Sequence, residues 1–203
     1  MIILDVVQGS PGWFAARAGT PTASNFDKIV TARGEQSAQA QKYLYQLAGE
    51  RLLGAPSETY QNGAMLRGKE LEPLARAAYE FISDNPVTEI GFCLDDIKRY
   101  GCSPDGLVGQ AALIEIKCPS LSVHVEYLDK GGLPIAYFQQ VQGQMLVTGR
   151  EWCDFFSYYP GLPPLLIRAE RDEKFLKLLE KELVVFCEKL DALTKRLRRG
   201  NEI

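Results

Sequence analysis

Nowhere in this chain is there an apolar run long enough to cross a bilayer, which argues against a helical membrane span. The five cysteines, Cys93, Cys102, Cys118, Cys153 and Cys187, are odd in number and include no Cys-X-X-Cys. A disulfide framework, a zinc site and an iron–sulfur cluster are therefore disfavoured, and reduced, buried core cysteines are expected. Excess positive charge is missing as well. With 23 Lys and Arg against 26 Asp and Glu the net charge is -3, so the broad basic surface usual for phosphate neutralisation is excluded, and any nucleic-acid contact needs a localised basic lining. The opening Met1-Ile-Ile-Leu-Asp-Val-Val has neither a basic segment nor a cleavage site and reads as a first strand, in a protein expected in the cytoplasm. Internal repeats, low-complexity stretches and linker composition are lacking too. Residues 1–203 are thus expected to form one mixed α/β domain that buries about 70% of its unfolded surface.

What is present is concentrated in Ser103-Pro104-Asp105-Gly106, followed ten positions after the aspartate by Glu115-Ile116-Lys117. The intervening Leu-Val-Gly-Gln-Ala-Ala-Leu-Ile is a short turn flanked by apolar residues, which places Asp105 and Glu115 on neighbouring strands of one hairpin. Strand alternation puts Glu115 and Lys117 on one face and sends Ile116 to the other. Two converging carboxylates repel each other, and one lysine does not neutralise both. A divalent cation resolves this, and magnesium suits a sparse site because it takes one or two carboxylates plus water and substrate phosphate. The Ile116 carbonyl adds a further oxygen. Phosphodiester cleavage is the chemistry indicated, with Lys117 holding or deprotonating the water; an exposed hairpin carrying a surface Glu-Lys pair is the alternative.

Around the hairpin, Ser10-Pro11 opens a short helix through Trp13, Phe14 and Arg17 that Gly19 stops. A second helix is expected over Ala23–Val30. A third follows Ser37, with Tyr43, Leu44, Leu47 and Leu52 as apolar positions, and closes at Gly54. A fourth runs from about Ala64 to Ile82, with Leu66, Leu71, Leu74, Ala75, Ala78 and Phe81 facing the core and a kink or restart at Pro73. Strands are expected at Val87–Leu94, Arg99–Ser103, the Leu107–Cys118 hairpin, Trp152–Tyr159 and Leu165–Ala169. Leu133-Pro134 opens a helix ending at Gly149. Asp172 caps a long final helix whose stripe is Leu176, Leu179, Leu183, Phe186 and Leu190.

Five motifs in fixed order carry a resemblance: Arg17-Ala-Gly-Thr-Pro-Thr-Ala-Ser24, Gly68-Lys-Glu-Leu-Glu72, Cys102-Ser-Pro-Asp-Gly-Leu107, Glu115-Ile-Lys-Cys-Pro119 and Ala136-Tyr-Phe-Gln-Gln-Val-Gln142. Over most of its length the chain resembles the viral-type recombination exonucleases typified by phage lambda exonuclease (YqaJ-type), within the restriction-endonuclease-like PD-(D/E)XK superfamily. The resemblance implies a central mixed β-sheet flanked by helices. It implies two Mg2+ ions per active site, with Mn2+ as a substitute, held by Asp105, Glu115, the Ile116 carbonyl and Glu72. Glu72 would bind directly or through water; an exposed helix carboxylate is its plainer role. Lys117 attends the attacking water, and Gln140 positions it, unless Gln139, Gln140, Gln142 and Gln144 form a solvated helix face.

By the same resemblance Arg17 receives a terminal 5′ phosphate, a task suited to a planar bidentate cation, with the Ser24 and Ser103 hydroxyls around it. Read from its position alone, Arg17 is a helix-end cation. Met65 falls where the family places an apolar wedge, and Arg33 near a loop arginine that reaches the minor groove. The chain departs from the family after Lys117, where Pro119-Ser-Leu-Ser-Val-His124 lacks the basic phosphate contact. His124 either substitutes for it or is a surface residue without that duty. The implied protein is a processive 5′-to-3′ exonuclease on linear duplex DNA, a homotrimeric ring, encoded by a phage or prophage and active in the bacterial host cytoplasm. Its product, a 3′ single-stranded tail, implies a single-strand annealing partner. Alternatives are a restriction-type endonuclease or single-strand nuclease on the same core, or a non-catalytic DNA-end-binding module.

Overall fold

The computed structural model describes residues 1–57 and 63–200, with the side chains of 64, 65, 199 and 200 outside the description. β1 (Ile2–Leu4) leads to α1 (Pro11–Arg17), which Ser10 caps by accepting from the Trp13 N–H, with Pro11 in the first turn. Gly19 stops it at φ +69°. The expected helix over 23–30 is a 3-10 helix, Ala23–Lys28. α2 (Ala40–Leu53) buries Tyr43, Leu44 and Leu47, whereas Leu52 is exposed near its end.

α3 (Gly63–Ser83) corrects the expected stripe. Its buried face is Ala75 and Tyr79, while Leu66, Leu74 and Phe81 are exposed, Phe81 by 89%. Tyr79 sets the rotation: its hydroxyl donates to buried Asp154 at 2.7 Å, which turns Phe81 away from the core. Pro73 lies within the helix.

The expected strand over 87–94 is two strands in different sheets, β2 (Val87–Thr88) and β3 (Phe92–Leu94); that over 99–103 shrinks to β4 (Gly101–Cys102). The hairpin is β5 (Gly106–Val108) and β6 (Ala112–Lys117), and β7 (Trp152–Ser157) and β8 (Leu165–Glu170) follow. A small sheet runs β1-β3-β4 and a larger mixed sheet β2-β5-β6-β7-β8, in which only β6 and β7 are parallel. Parallel neighbours need a long crossover. Here it comprises α4 (Leu121–Lys130), which the sequence reading did not anticipate, a 3-10 turn Ile135–Tyr137, and α5 (Phe138–Thr148). α6 (Glu173–Gly200) closes the described chain, with Asp172 accepting from the Phe175 N–H and all five stripe residues buried.

Alternation along β6 divides the larger sheet. Ile114 and Ile116 pack with Ala75 and Tyr79 of α3. Leu113 packs on the opposite face with Val141 and Met145 of α5. α2 and α6 form a further core with Phe26 of the 3-10 helix. Gly143 lets α5 come close, since a Cβ there would meet the Phe26 ring at 2.4 Å.

Candidate active site

Glu115 and Lys117 follow Leu113 onto the α5 face of β6, so a carboxylate enters the core, where it is 1% exposed. Three donors reach it there, which leaves one acceptor position of about four on Oε2. Oε1 accepts from Lys117 Nζ and from Gln140 Nε2 at 2.6 Å, and Oε2 accepts from Gln144 Nε2. Gln140 and Gln144 lie one turn apart, and residues four apart share a helix face. Gln139, Gln142 and Gln144 are buried, so this run is no solvated face.

Asp105 immediately precedes β5, and its Oδ2 accepts from the Ile116 N–H at 2.6 Å. The N–H and C=O of a strand residue point to the same side, so the Ile116 carbonyl faces that edge as well. Strand pairing there has ended at Gly106 opposite Ile114. Burial, and then the nearby Glu115 charge, push the Asp105 carboxyl well above the usual range; Lys117 opposes them without cancelling them. Burial works to lower the pKa of Lys117, but Glu115 and Asp105 outweigh it and the ammonium is held raised. The cluster has more negative charge than one lysine offsets.

Among the described residues no three His, Cys, Asp or Glu side chains stand close enough to cage a metal. Asp105, Glu115 and the Ile116 carbonyl instead make a sparse set of hard oxygens, which fits a magnesium ion that keeps most of its waters. Glu72 is within electrostatic reach of Asp105 and Glu115 but pairs with a cation of its own, accepting from Arg76 Nη2 at 2.8 Å, while Arg76 Nη1 pairs with Glu89 at 2.8 Å. Burial raises the pKa of Glu72, Arg76 opposes, and Glu89 and Glu115 add to the rise.

A second pocket surrounds Arg17. Its Nη1 donates to Ser103 Oγ at 3.1 Å, and its Nη2 to Ser24 Oγ at 3.3 Å and Thr22 Oγ1 at 3.4 Å. The guanidinium lies 4.1 Å from the Trp13 ring centroid. Burial lowers its pKa, partly countered by Tyr43, Cys102 and Glu50. Among the described residues no carboxylate forms an ion pair with it, so a half-buried cation has only hydroxyl partners and lacks an anion. Trp13 Nε1 also donates to Ser103 Oγ, at 2.9 Å. With both acceptor positions of Ser103 filled, its O–H remains to donate. A cleft of about 1100 Å³ is lined by Trp13, Arg17, Lys69 and Glu72; Asp105 and Glu115 are not among its lining residues.

The remaining sequence candidates are scattered. Arg33 is exposed on a turn closed by the Val30–Gln36 bridge and is not gathered with the others. Met65 is in the first turn of α3, but its side chain lies outside the described residues. His124 is corrected: it is 0% exposed, with Nδ1 2.8 Å from Ser157 Oγ and Nε2 3.0 Å from the Pro163 carbonyl. A carbonyl only accepts, so Nε2 carries a hydrogen, and Nδ1 shares a hydrogen bond with the Ser157 hydroxyl. Both nitrogens are taken, and His124 bolts α4 to the β7 end and the following loop instead of meeting DNA. Two site residues escaped the sequence reading, Gln144 and Trp13. Spacing by four from Gln140 and from Arg17 was the signal available for each.

The YqaJ-like viral recombinase domain matches residues 12–151. Among solved structures, an alkaline exonuclease (LHK-Exo) from Laribacter hongkongensis is 41% identical, with a TM-score of 0.86 over 95% of this chain and 98% of that one. The same enzyme in complex with dAMP matches equally. A phage related exonuclease from Haemophilus somnus 129PT shares the fold at 15% identity, with a TM-score of 0.69 over 88% of this chain and 96% of that one. Comparison with curated proteins finds no match. With the family domain spanning more than half its length, this chain belongs to the YqaJ-like viral recombinase family, the family that its motifs resemble.

Proposed function

We propose that the protein is a DNA exonuclease of the lambda-exonuclease type, degrading one strand of linear duplex processively from a 5′-phosphorylated end and leaving a 3′ single-stranded tail. The observation that carries this is the tripeptide Ser103-Pro104-Asp105, which joins a half-buried arginine without an anion among the described residues to a carboxylate cluster that one lysine does not neutralise. Two residues of extended chain span at most about 7 Å. A terminal phosphate held by Arg17 and Ser103 would therefore sit about one nucleotide from a phosphodiester at Asp105.

Asp105, Glu115 and the Ile116 carbonyl would hold Mg2+, or Mn2+ in its place, and Glu72 would serve a second ion directly or through water. When bound, the ions supply Lewis-acid polarisation and offset charge on the transferring phosphoryl group. Lys117 stays protonated next to Glu115, so it acts as a positive donor toward the charged transition state rather than as a base. Gln140 gives its N–H to Glu115 and keeps its carbonyl oxygen to orient the attacking water. Water adds to phosphorus as the P–O3′ bond breaks, with the net transfer of one water proton to the leaving O3′ through solvent. A mononucleotide leaves with its 5′ phosphate, and the next residue acquires a new 5′ phosphate for the Arg17 pocket.

Met65 as wedge and Arg33 as groove contact extend this reading. A ring of three subunits would concentrate the basic residues of a net-acidic chain around one duplex, and a single-strand annealing protein would take up the 3′ tail, in the host cytoplasm of a phage or prophage. The test is magnesium-dependent digestion of linear against covalently closed circular duplex. Mononucleotides from linear DNA alone are expected; equal cutting of circles would sink the proposal in favour of an endonuclease, and end binding without turnover would favour a non-catalytic module.

A further inference from the structure

The loop that follows Arg17 is gripped by consecutive residues of α2. The Gly19 N–H donates to Glu50 Oε2 at 2.8 Å, and the Gly19 carbonyl accepts from Arg51 Nε at 2.7 Å. Both backbone polar groups of one residue, on either side of its Cα, are thus taken by side chains from a single helix. Glu50 is 8% exposed, and its other oxygen accepts from Ser57 Oγ at 2.6 Å and Gln46 Nε2 at 3.0 Å. Burial alone would raise its pKa, but the Ser57, Gly19 and Gln46 bonds prevail and hold it below the usual carboxylate range, so a buried anion persists. Gly19 is at φ +69°, and a Cβ there would lie 2.3 Å from Arg51 Cγ, so glycine is what lets the arginine stem lie against the loop. The far end of Arg51 is tied to Asp191 of α6.

None of this has a part in hydrolysis, yet it ends two residues from Arg17. The Thr20 N–H closes back onto the Arg17 carbonyl at 3.0 Å, which ties the clamped residue to the end of α1. Glu50 also lies within the electrostatic reach of Arg17 without pairing with it. It favours the buried cation while leaving the guanidinium open to another anion.

We infer that Glu50 and Arg51 are positioning residues: by clamping the Gly19 peptide from both sides they set where Arg17 presents its guanidinium to the terminal 5′ phosphate. This rests on the phosphate-receiving role given to Arg17 above. An unclamped loop would leave Arg17 charged but misplaced. The loss would then fall on recognition of phosphorylated ends, seen in KM, rather than on kcat.

The experiment measures steady-state digestion of one linear duplex bearing either a 5′ phosphate or a 5′ hydroxyl, by the wild type, Glu50→Ala, Glu50→Gln, Arg51→Lys and Arg17→Ala. Arg51→Lys keeps the charge facing Asp191 but loses the Nε–H that reaches Gly19, and it serves should Glu50→Ala fail to fold. The ratio of kcat/KM for the two ends should fall about tenfold in Glu50→Ala and Arg51→Lys, the size of one misplaced charge-assisted hydrogen bond, through a higher KM for phosphorylated ends. Glu50→Gln, which retains an acceptor oxygen for the Gly19 N–H, should recover most of it. A wild-type ratio in folded Arg51→Lys, or a fall in kcat shared by both ends, overturns the clamp. If Arg17→Ala itself keeps the wild-type ratio, the phosphate pocket fails and the clamp with it; a ratio lost in Arg17→Ala but kept in both clamp variants removes the clamp alone.

Discussion

At the scale of single residues, Glu115 shows how a carboxylate is tolerated in a core. Lys117, Gln140 and Gln144 supply its donors, and the two glutamines do so without adding charge. Gln144 is buried behind the carboxylate, where it fixes the orientation of a proposed ligand. Gln144→Leu should weaken magnesium affinity by about 10- to 100-fold, read from the metal dependence of digestion; an unaltered dependence would reduce Gln144 to core filling. Asp105 gives a prediction with a definite sign. Its folded pKa is raised well above the unfolded value of about 3.9, so without metal it contributes stability below about pH 4 that is lost as pH rises toward the folded pKa. Denaturant midpoints of metal-free wild type should therefore decline relative to Asp105→Asn as pH rises from about 4. Added magnesium should reverse the trend by binding the ionised form. Parallel profiles for the two proteins would show that Asp105 carries no such strain.

At the scale of elements, α5 is the piece that has to arrive accurately, because its one face delivers both glutamines to Glu115. Gly143 permits that approach, so Gly143→Ala should cost about 1–3 kcal/mol by overpacking against Phe26, visible as a lower melting temperature together with reduced turnover. α4 is secured by His124. His124→Ala removes two buried hydrogen bonds and should cost about 2–3 kcal/mol while leaving the preference for phosphorylated ends intact; a lost preference with unchanged stability would restore a DNA contact to it. The hairpin, α1 with its Ser10 cap, and the long stripe of α6 were legible in the sequence because local pattern alone sets them. α3 was misread in rotation because Tyr79, an aromatic with a polar tip, found Asp154 on a strand 75 residues away. α4 was missed because its sole buried residue is a histidine, which gives no apolar stripe to detect. Val87–Leu94 broke in two because its halves pair with different sheets, a choice that local β-propensity does not encode.

At the scale of the whole molecule, the two pockets have opposite electrostatic needs, and the chain places them side by side at Ser103-Pro104-Asp105. Ser103, 86 residues from Arg17 in sequence, gathers with Arg17 and Ser24 through hydrogen bonds, whereas Glu72 pairs with Arg76. A net charge of -3 leaves little general attraction for DNA, which makes enclosure by several subunits the proposed means of staying on the track. A solution mass near three times 22.6 kDa should accompany activity, and a stable, active monomer would remove the ring. The directional site itself is tested most directly on a linear duplex phosphorylated at one 5′ end only, with each strand labelled separately and magnesium present. Mononucleotides should come from the phosphorylated strand, starting at that end, while its complement persists as a single strand. Equal loss of both strands, or degradation beginning at a 3′ end, would contradict the pairing of the Arg17 pocket with Asp105 and Glu115.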